Sequence, residues 1–576
     1  MKMKKTLRSY LKPWMKMMAA GLTIKVIGSF MELFLPEILS RIIDDIVPTG
    51  DMNRIIYWSL VMAGISLLAL VFNIVANRNA SKVARNVTEN IRHDLFDKAL
   101  YLTCEKTDEY TIPSIESRLT TDTYNVHRMV GMMQRLGVRA PIITVGGLIM
   151  TFVLDPVLAM VFVAIIPFMV VILYLRATRG VRMFTEVQKA NDRMVSVVRE
   201  NSQGIRIIKA LSKVGYEKDR FDGVNKNLKD QEVRANRMMA VINPVMNMLL
   251  YIGMVGVIIV GAYRVHLGLS KTGRILAFMS YFQLISRSLM AVSRMFIMYS
   301  RGMASSARIM EILNCETEKD YVPKEYPAGD PQWAVEFDHV TFSYLKVKDN
   351  LKDISFHLRP GQTLGIIGAT GAGKSTIISL LLHFYDIDEG AIYLNGTDIR
   401  SYAPSELRQK FGAVMQNDFL FRDTVEENIR FGRGVSDQDI VEAEEDAQAS
   451  EFINDLEDGN LYELSVKGSN LSGGQRQRIL LSRAFAGRPE FMLLDDSSSA
   501  LDYKTDAALR KALNEKYPDT TMIIIAQRVS SIKNCDEIIV LDHGTINGRG
   551  THEELIRDNE LYQSIADSQM GGALFD

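Results

Sequence analysis

The sequence predicts two fold classes in one chain: a membrane α-helical domain in residues 1–314 and an α/β domain in residues 335–576. Three observations carry this. Long uncharged apolar runs are confined to the first half. A glycine-rich loop lies between an apolar strand and a helix in the second. A stretch rich in Pro, Gly and charge, 315–334, separates them with the composition of a linker. A chain of 576 residues also exceeds what one hydrophobic core usually holds, about 250–300 residues.

Six membrane helices are expected, at approximately 17–43, 55–77, 136–154, 157–175, 240–263 and 275–300. A bilayer core needs about 20 mostly apolar helical residues. Ile55–Asn77, Val157–Leu175 and Ala240–Tyr263 meet this without a single charge. The other three are weaker: the first carries Lys25 and Glu32, the third is cut short by Asp155 and Pro156, and the last is interrupted by arginines. Polar but helix-compatible stretches, Arg78–Arg139 and Arg176–Arg237, separate spans two from three and four from five, so long cytoplasmic extensions are expected. The second stretch holds fifteen Lys and Arg, and the bias of basic residues towards the cytoplasm then puts both termini there. The basic connection Arg264–Arg274, on the outer side by this reading, runs against the rule. Arg287, Arg294 and Arg301 recur every seven residues along one face of the last span. Arg287 falls roughly 18 Å below Ile275, deep in the bilayer, and is expected to line a cavity.

Net charge is −1, which gives no argument for a nucleic-acid partner. The three cysteines, Cys104, Cys315 and Cys535, lack metal-ligand spacing and suit a reducing compartment. Thirty-one methionines read as ordinary filler of membrane helices rather than as a binding surface.

In the second half, Gly368, Ala369, Thr370, Gly371, Ala372, Gly373, Lys374 and Ser375, with Thr376 following, fit the phosphate-loop pattern. An apolar strand, Thr363–Ile367, leads in and a helical run leads out. The glycines let backbone N–H groups turn to phosphates, and the helix start adds a favourable dipole. Lys374 then faces the terminal phosphates, and Ser375 ligates Mg²⁺. A second apolar strand, Phe491–Leu494, ends on Asp495 and Asp496, and an acid so placed holds Mg²⁺ through water.

Twenty residues before that strand lies Leu471, Ser472, Gly473, Gly474 and Gln475. These five match the signature of the ATP-binding-cassette exporters letter for letter, and the rest of the chain resembles the type IV members of that family. Tyr344 looks like the residue that stacks on adenine. Gln416 resembles the Q-loop glutamine, a further Mg²⁺ contact, and Asp502 closes a segment like the D-loop. Ile115–Thr121 resembles the first coupling segment. The resemblance implies ATP and Mg²⁺ as cofactors and two nucleotide domains closing head to tail. Leu471–Gln475 and Asp502 then serve the partner's ATP in trans.

Two departures stand at catalytic positions. Active members carry a glutamate after the strand acid and a histidine at the later switch position; this chain has Asp496 and Gln527. An aspartate is one methylene short of the attacking water, and an error of that size costs about 10²-fold. An amide cannot carry the imidazole's positive charge. A third departure, Val466, occupies the glutamate position of a segment like the X-loop. The chain is thus expected to be one subunit of a heterodimer, with a partner half-transporter that keeps both catalytic residues. Drug-like, lipid or other amphipathic substrates leave across the cell membrane. The competing reading is an ATP-gated channel, regulatory subunit or importer on the same scaffold.

Overall fold

The structure is a computed structural model describing residues 4–344 and 346–570, without the side chains of 173–182, 242–243, 293–294 and 570. It divides into two units. One comprises Met1–Leu100 and Pro113–Cys315; the other comprises Tyr101–Ile112 and Glu316–Asp576.

The first unit is built on seven long helices: α1 (Met15–Arg41), α2 (Met52–Leu100), α3 (Thr123–Leu154), α4 (Pro156–Gln203), α5 (Val214–Ala240), α6 (Ile242–His266) and α7 (Thr272–Leu313). Among the described residues, five helical stretches are long and apolar enough to cross a bilayer, and Pro156–Ile172 is a shorter apolar one. The expected span 157–175 starts there, and its last residues lie outside the described side chains, as does Arg294.

A helix of 49 residues such as α2 rises about 74 Å, more than twice the roughly 30 Å hydrocarbon core. Its two parts obey opposite rules. Towards Met52 the large side chains Leu60, Leu67, Leu68 and Leu70 are exposed, as lipid-facing residues are. Beyond Asn77 the stripe Ala80, Val83, Ala84, Val87, Ile91 and Leu95 is buried, the 3–4 spacing of an amphipathic helix in water. The part of α2 beyond Asn77 extends as a helix because it carries this stripe.

Helix α7 packs along α3, and α1 along α2. Gly146 and Gly147 let α3 come close: a Cβ on Gly146 would stand 2.5 Å from Leu33, and one on Gly147 would stand 3.0 Å from Ile285. Polar bonds fix the register lower down. Buried Asp122 accepts from Arg308 and from Ser305, and Arg118 reaches Glu311 at 3.0 Å. At the opposite end Asp155 caps α4 and pairs with Arg264 at 3.1 Å, while Lys271 reaches Asp45 at 2.5 Å. Two cations of the basic 264–274 connection are therefore neutralised by acids of the other short connections.

In the second unit, β1 (Val335–Phe342), β2 (Leu351–Leu358), β4 (Glu389–Leu394) and β5 (Thr397–Asp398) form an antiparallel sheet in the order β2-β1-β4-β5. A six-stranded sheet joins β3 (Thr363–Gly368), β6 (Phe411–Val414), β7 (Phe491–Asp495), β8 (Thr521–Ile525), β9 (Glu537–Asp542) and β10 (Thr545–Gly550) in the order β10-β9-β3-β8-β7-β6. All its neighbours are parallel except β9 and β10. The parallel strands are apolar through their middles, with polar residues only at their ends, as strands covered on both faces must be. Helix α8 (Lys374–Leu381) follows β3. A helical lobe contains α9 (Asp437–Asp446) and α10 (Gly473–Phe485), and α11 (Tyr503–Lys516) follows β7.

The coupling segment expected at Ile115–Thr121 lies in the membrane unit; Tyr101–Ile112 is the stretch that packs into the nucleotide-binding unit. Glu318 N–H donates to the Tyr101 carbonyl at 2.9 Å, Lys319 stands 3.5 Å over the Tyr101 ring, and the Tyr385 hydroxyl donates to Asp108 at 2.6 Å. These anchors lie some 200 to 280 residues away in sequence, so local pattern could not place them.

Glu444 on α9 is buried at 3 % exposure, with Asn460 at 3.4 Å and one carboxylate oxygen without a partner. Burial pushes it up to about 7. A carboxyl raised by folding stays protonated without penalty at low pH. The folded state loses stability as pH climbs from the ordinary value towards 7, and above that the loss is complete. Glu444→Gln is expected to stabilise the fold at pH 8, by at most roughly 3 kcal/mol, and to change little near pH 4. Thermal melts of the purified chain at both pH values check this.

Candidate functional site

A crevice of about 210 Å³ opens at the carboxyl ends of β3, β7 and β8. Parallel sheets place ligands there because the loops leaving those strands diverge and the following helices point their N-termini inward. The loop after β3 contributes Thr370, Gly371, Gly373, Lys374, Ser375 and Thr376; the end of β7 contributes Asp495 and Asp496. Ile525 and Gln527 come from the end of β8, and Gln416 follows β6. Gly368, Ala369 and Ala372 complete the loop behind this lining.

Lys374 Nζ donates to the carbonyls of Gly368 and Ala369, at 2.8 and 2.9 Å. Burial holds its pKa below the usual lysine range, against the opposing charges of Asp495 and Asp496. Burial also pushes Asp495 up, offset in part by a hydrogen bond from Ser375, and pushes Asp496 up as well. Two carboxylates and one ammonium, Asp495 buried and the other two half-buried, make a crevice that gains from a bound cation and an anion together. Among the described residues no three His, Cys, Asp or Glu gather as a metal cluster. The oxygens that are gathered, the Ser375 hydroxyl, the Gln416 amide and the Asp495 carboxylate, are hard donors and fit a partly hydrated Mg²⁺.

Asp496 has a left-handed backbone, φ 51°. Its carboxylate accepts from the Gln527 amide at 3.2 Å, and its carbonyl accepts from Ser499 at 3.0 Å. The two residues that depart from the family pattern thus bond to each other at the mouth of the phosphate loop.

Tyr344 stands to one side, its hydroxyl 3.3 Å from the Thr376 hydroxyl. Its ring meets Tyr385 edge-on at 4.9 Å, and Tyr385 in turn bonds Asp108. A connected path therefore runs from the helix after the phosphate loop to the 101–112 segment.

Leu471–Gln475 and Asp502 are not brought to this crevice. Ser472 caps α10, its hydroxyl accepting from Gln475 N–H at 3.2 Å, while the Gln475 side chain accepts from Ser472 N–H at 2.8 Å. Asp502 caps α11 through Thr505. Val466 is exposed, at 56 %. Two lining residues, Asn350 and Ile525, carried no distinguishing signal in the sequence: an Asn before a strand looks like any turn residue, and an Ile inside one looks like core.

Comparison with known proteins agrees with both halves. Residues 18–289 match the family model of the ABC transporter transmembrane region, and residues 351–499 match the family model described as ABC transporter. The uncharacterized ABC transporter ATP-binding protein YfiB of Bacillus subtilis is 32 % identical over 565 residues, covering 98 % of each chain. YwjA of the same organism, likewise described, is 29 % identical over 564 residues, again covering 98 % of each. Among solved structures, a bacterial Atm1-family ABC exporter with ATP bound superposes with a TM-score of 0.80 at 21 % identity, covering 96 % of this chain and 98 % of that one. With a helical membrane half, a phosphate-loop half and full-length relatives of this kind, the chain belongs to the ATP-binding-cassette transporters, as a half-transporter of the type IV exporter fold.

Proposed function

We propose that this chain is the subunit of a heterodimeric exporter whose own ATP site binds nucleotide and hydrolyses it poorly. The observation that carries the reading is the bond between Asp496 and Gln527 inside the crevice of Lys374, Ser375 and Asp495. A general base must reach the proton it removes. Asp496 is short by one methylene and is already engaged by an amide that supplies no positive charge. The groups for binding are in place in the sequence: Gly368–Thr376 and Lys374 would hold the phosphates and Tyr344 the base, while Ser375, Gln416 and Asp495 would hold Mg²⁺, which would neutralise phosphate charge. Leu471–Gln475 and Asp502 lie outside the crevice on capped helix starts, as donors offered to a partner would.

Export from the cytoplasm across the cell membrane, with both termini inside, is supported by the basic 176–237 stretch. Substrates are small and amphipathic, and the partner is a half-transporter with catalytic Glu and His.

Trapping of radiolabelled ATP in the purified pair, followed by separation of the subunits, tests this. Intact triphosphate is expected on this chain after many turnovers. Diphosphate formed there at the steady-state rate would show that this site is catalytic.

A further inference from the structure

The membrane unit holds a second cavity, of about 680 Å³, lined from α1, α2 and α3. Its charge is one-sided. Lys25, Arg128, Arg135 and Arg139 line it against a single carboxylate, Glu32. That carboxylate is fully engaged: Arg139 donates to one oxygen at 2.7 and 3.1 Å, and Asn73 donates to the other at 2.8 Å. Lys25, at 4 % exposure, has only neutral acceptors, the amide oxygens of Asn73 at 2.7 Å and Asn77 at 3.1 Å. Arg135 bonds the Gly131 carbonyl at 3.0 Å, and Arg128 lies 5.7 Å over the Tyr124 ring. Among the described residues, neither arginine has an acidic partner. Arg287, expected on the sequence to line a cavity, is exposed on α7 and is not part of this one.

Counted along α3 from Asp155 at 1.5 Å per residue, Arg139, Arg135 and Arg128 lie roughly 24, 30 and 41 Å down. With a hydrocarbon core of about 30 Å, the cavity straddles the boundary of the leaflet opposite Asp155. Arg135 at that boundary and Arg128 beyond it lie at the level of anionic headgroups, where basic side chains attract them. Met132 and Leu136 supply apolar wall between the arginines. Volumes of roughly 300–1,000 Å³ suit ligands of small-molecule size.

We propose that this cavity is a loading site for an amphipathic anion, a phosphate-type headgroup carrying one alkyl chain, with the headgroup on Arg128, Arg135 and Lys25. The claim rests on the exporter reading and narrows its substrate class. The headgroup can come from a bilayer lipid or from a soluble amphiphile, and the chemistry of recognition is the same.

The test is equilibrium binding of tritiated dodecyl phosphate to the full chain in phosphatidylcholine nanodiscs, without nucleotide. Saturable binding is expected, unaffected by dodecyltrimethylammonium. Arg128→Gln with Arg135→Gln, which orphans no acid, is expected to weaken it about tenfold or more. Glu32→Gln, which releases Arg139, is expected to tighten it, whereas a merely structural role for the cluster predicts weakening there too. Stronger competition by lysophosphatidylglycerol than by unlabelled dodecyl phosphate assigns the site to bilayer lipid, and the reverse order to a soluble amphiphile. Equal competition by the cationic detergent, or unchanged binding in the double variant, overturns the proposal. Because no ATP is present, that failure leaves the exporter reading intact. Loss of ATP-driven transport with binding retained would instead remove the exporter reading alone.

Discussion

Gly473→Leu is expected to lower the ATPase rate of the assembled transporter by about 10²–10³, the usual loss when a donor aimed at transition-state charge is removed. Asp496→Asn is expected to change it by less than about twofold, because a carboxylate that contributes little chemistry is removed at little cost. The geometry makes the comparison clean. A Cβ on Gly473 would meet nothing closer than the Ala500 Cβ at 3.5 Å, an ordinary contact, so the branch point of a side chain fits within its own chain. Ser472 keeps its cap on α10, and the melting temperature should hold. Lost turnover then reports on what approaches the helix start from outside the chain. Ser472→Phe should lose as much rate, with about 1 kcal/mol of added instability from the missing cap. ATPase and transport assays on the purified pair decide the point. If Asp496→Asn is as damaging as Gly473→Leu, this chain's own phosphate loop is the catalytic one.

Gly368→Ala should be the most disruptive single methyl group in the nucleotide-binding unit. Residue 368 ends β3 in register with Leu541 on β9, and a Cβ there would sit 2.1 Å from the Leu541 carbonyl oxygen. That atom is backbone inside a parallel sheet, so relief requires strand separation rather than a rotamer change. Overpacking of this kind costs about 3 kcal/mol, the upper end of the usual range. ATP affinity should fall with it, because the loop after β3 sets the position of Lys374. Gly371→Ala is the contrast. Its φ is +84°, but a Cβ would meet nothing within 4 Å. Only conformational strain of about 1–2 kcal/mol is expected, with the fold retained. Thermal melts with and without ATP separate the two: Gly368→Ala should lose both intrinsic stability and the ATP-dependent shift, and Gly371→Ala should keep most of the former.

By itself the sequence determined what local spacing encodes. Uncharged runs of twenty residues announce membrane helices, since no other segment survives unpaired in lipid. A glycine-rich loop between strand and helix announces the phosphate site, with Asp495 found by its place at the end of a second apolar strand. The signature and its departures at Asp496 and Gln527 could be read as letters. Only the tertiary structure decided which side chains meet. Lys25 and Glu32 looked like blemishes in a weak first span until Asn73 and Arg139, 48 and 107 residues onward, closed around them. Tyr101–Ile112 read as part of a membrane-domain extension until Tyr385 supplied its anchor. Asp496 and Gln527 are 31 residues apart and share a bond only because β7 and β8 are neighbours. Helical and strand periods are short-range properties of the chain, so sequence carries them. A cavity's charge balance depends on distant elements brought together by packing, and no local pattern records it.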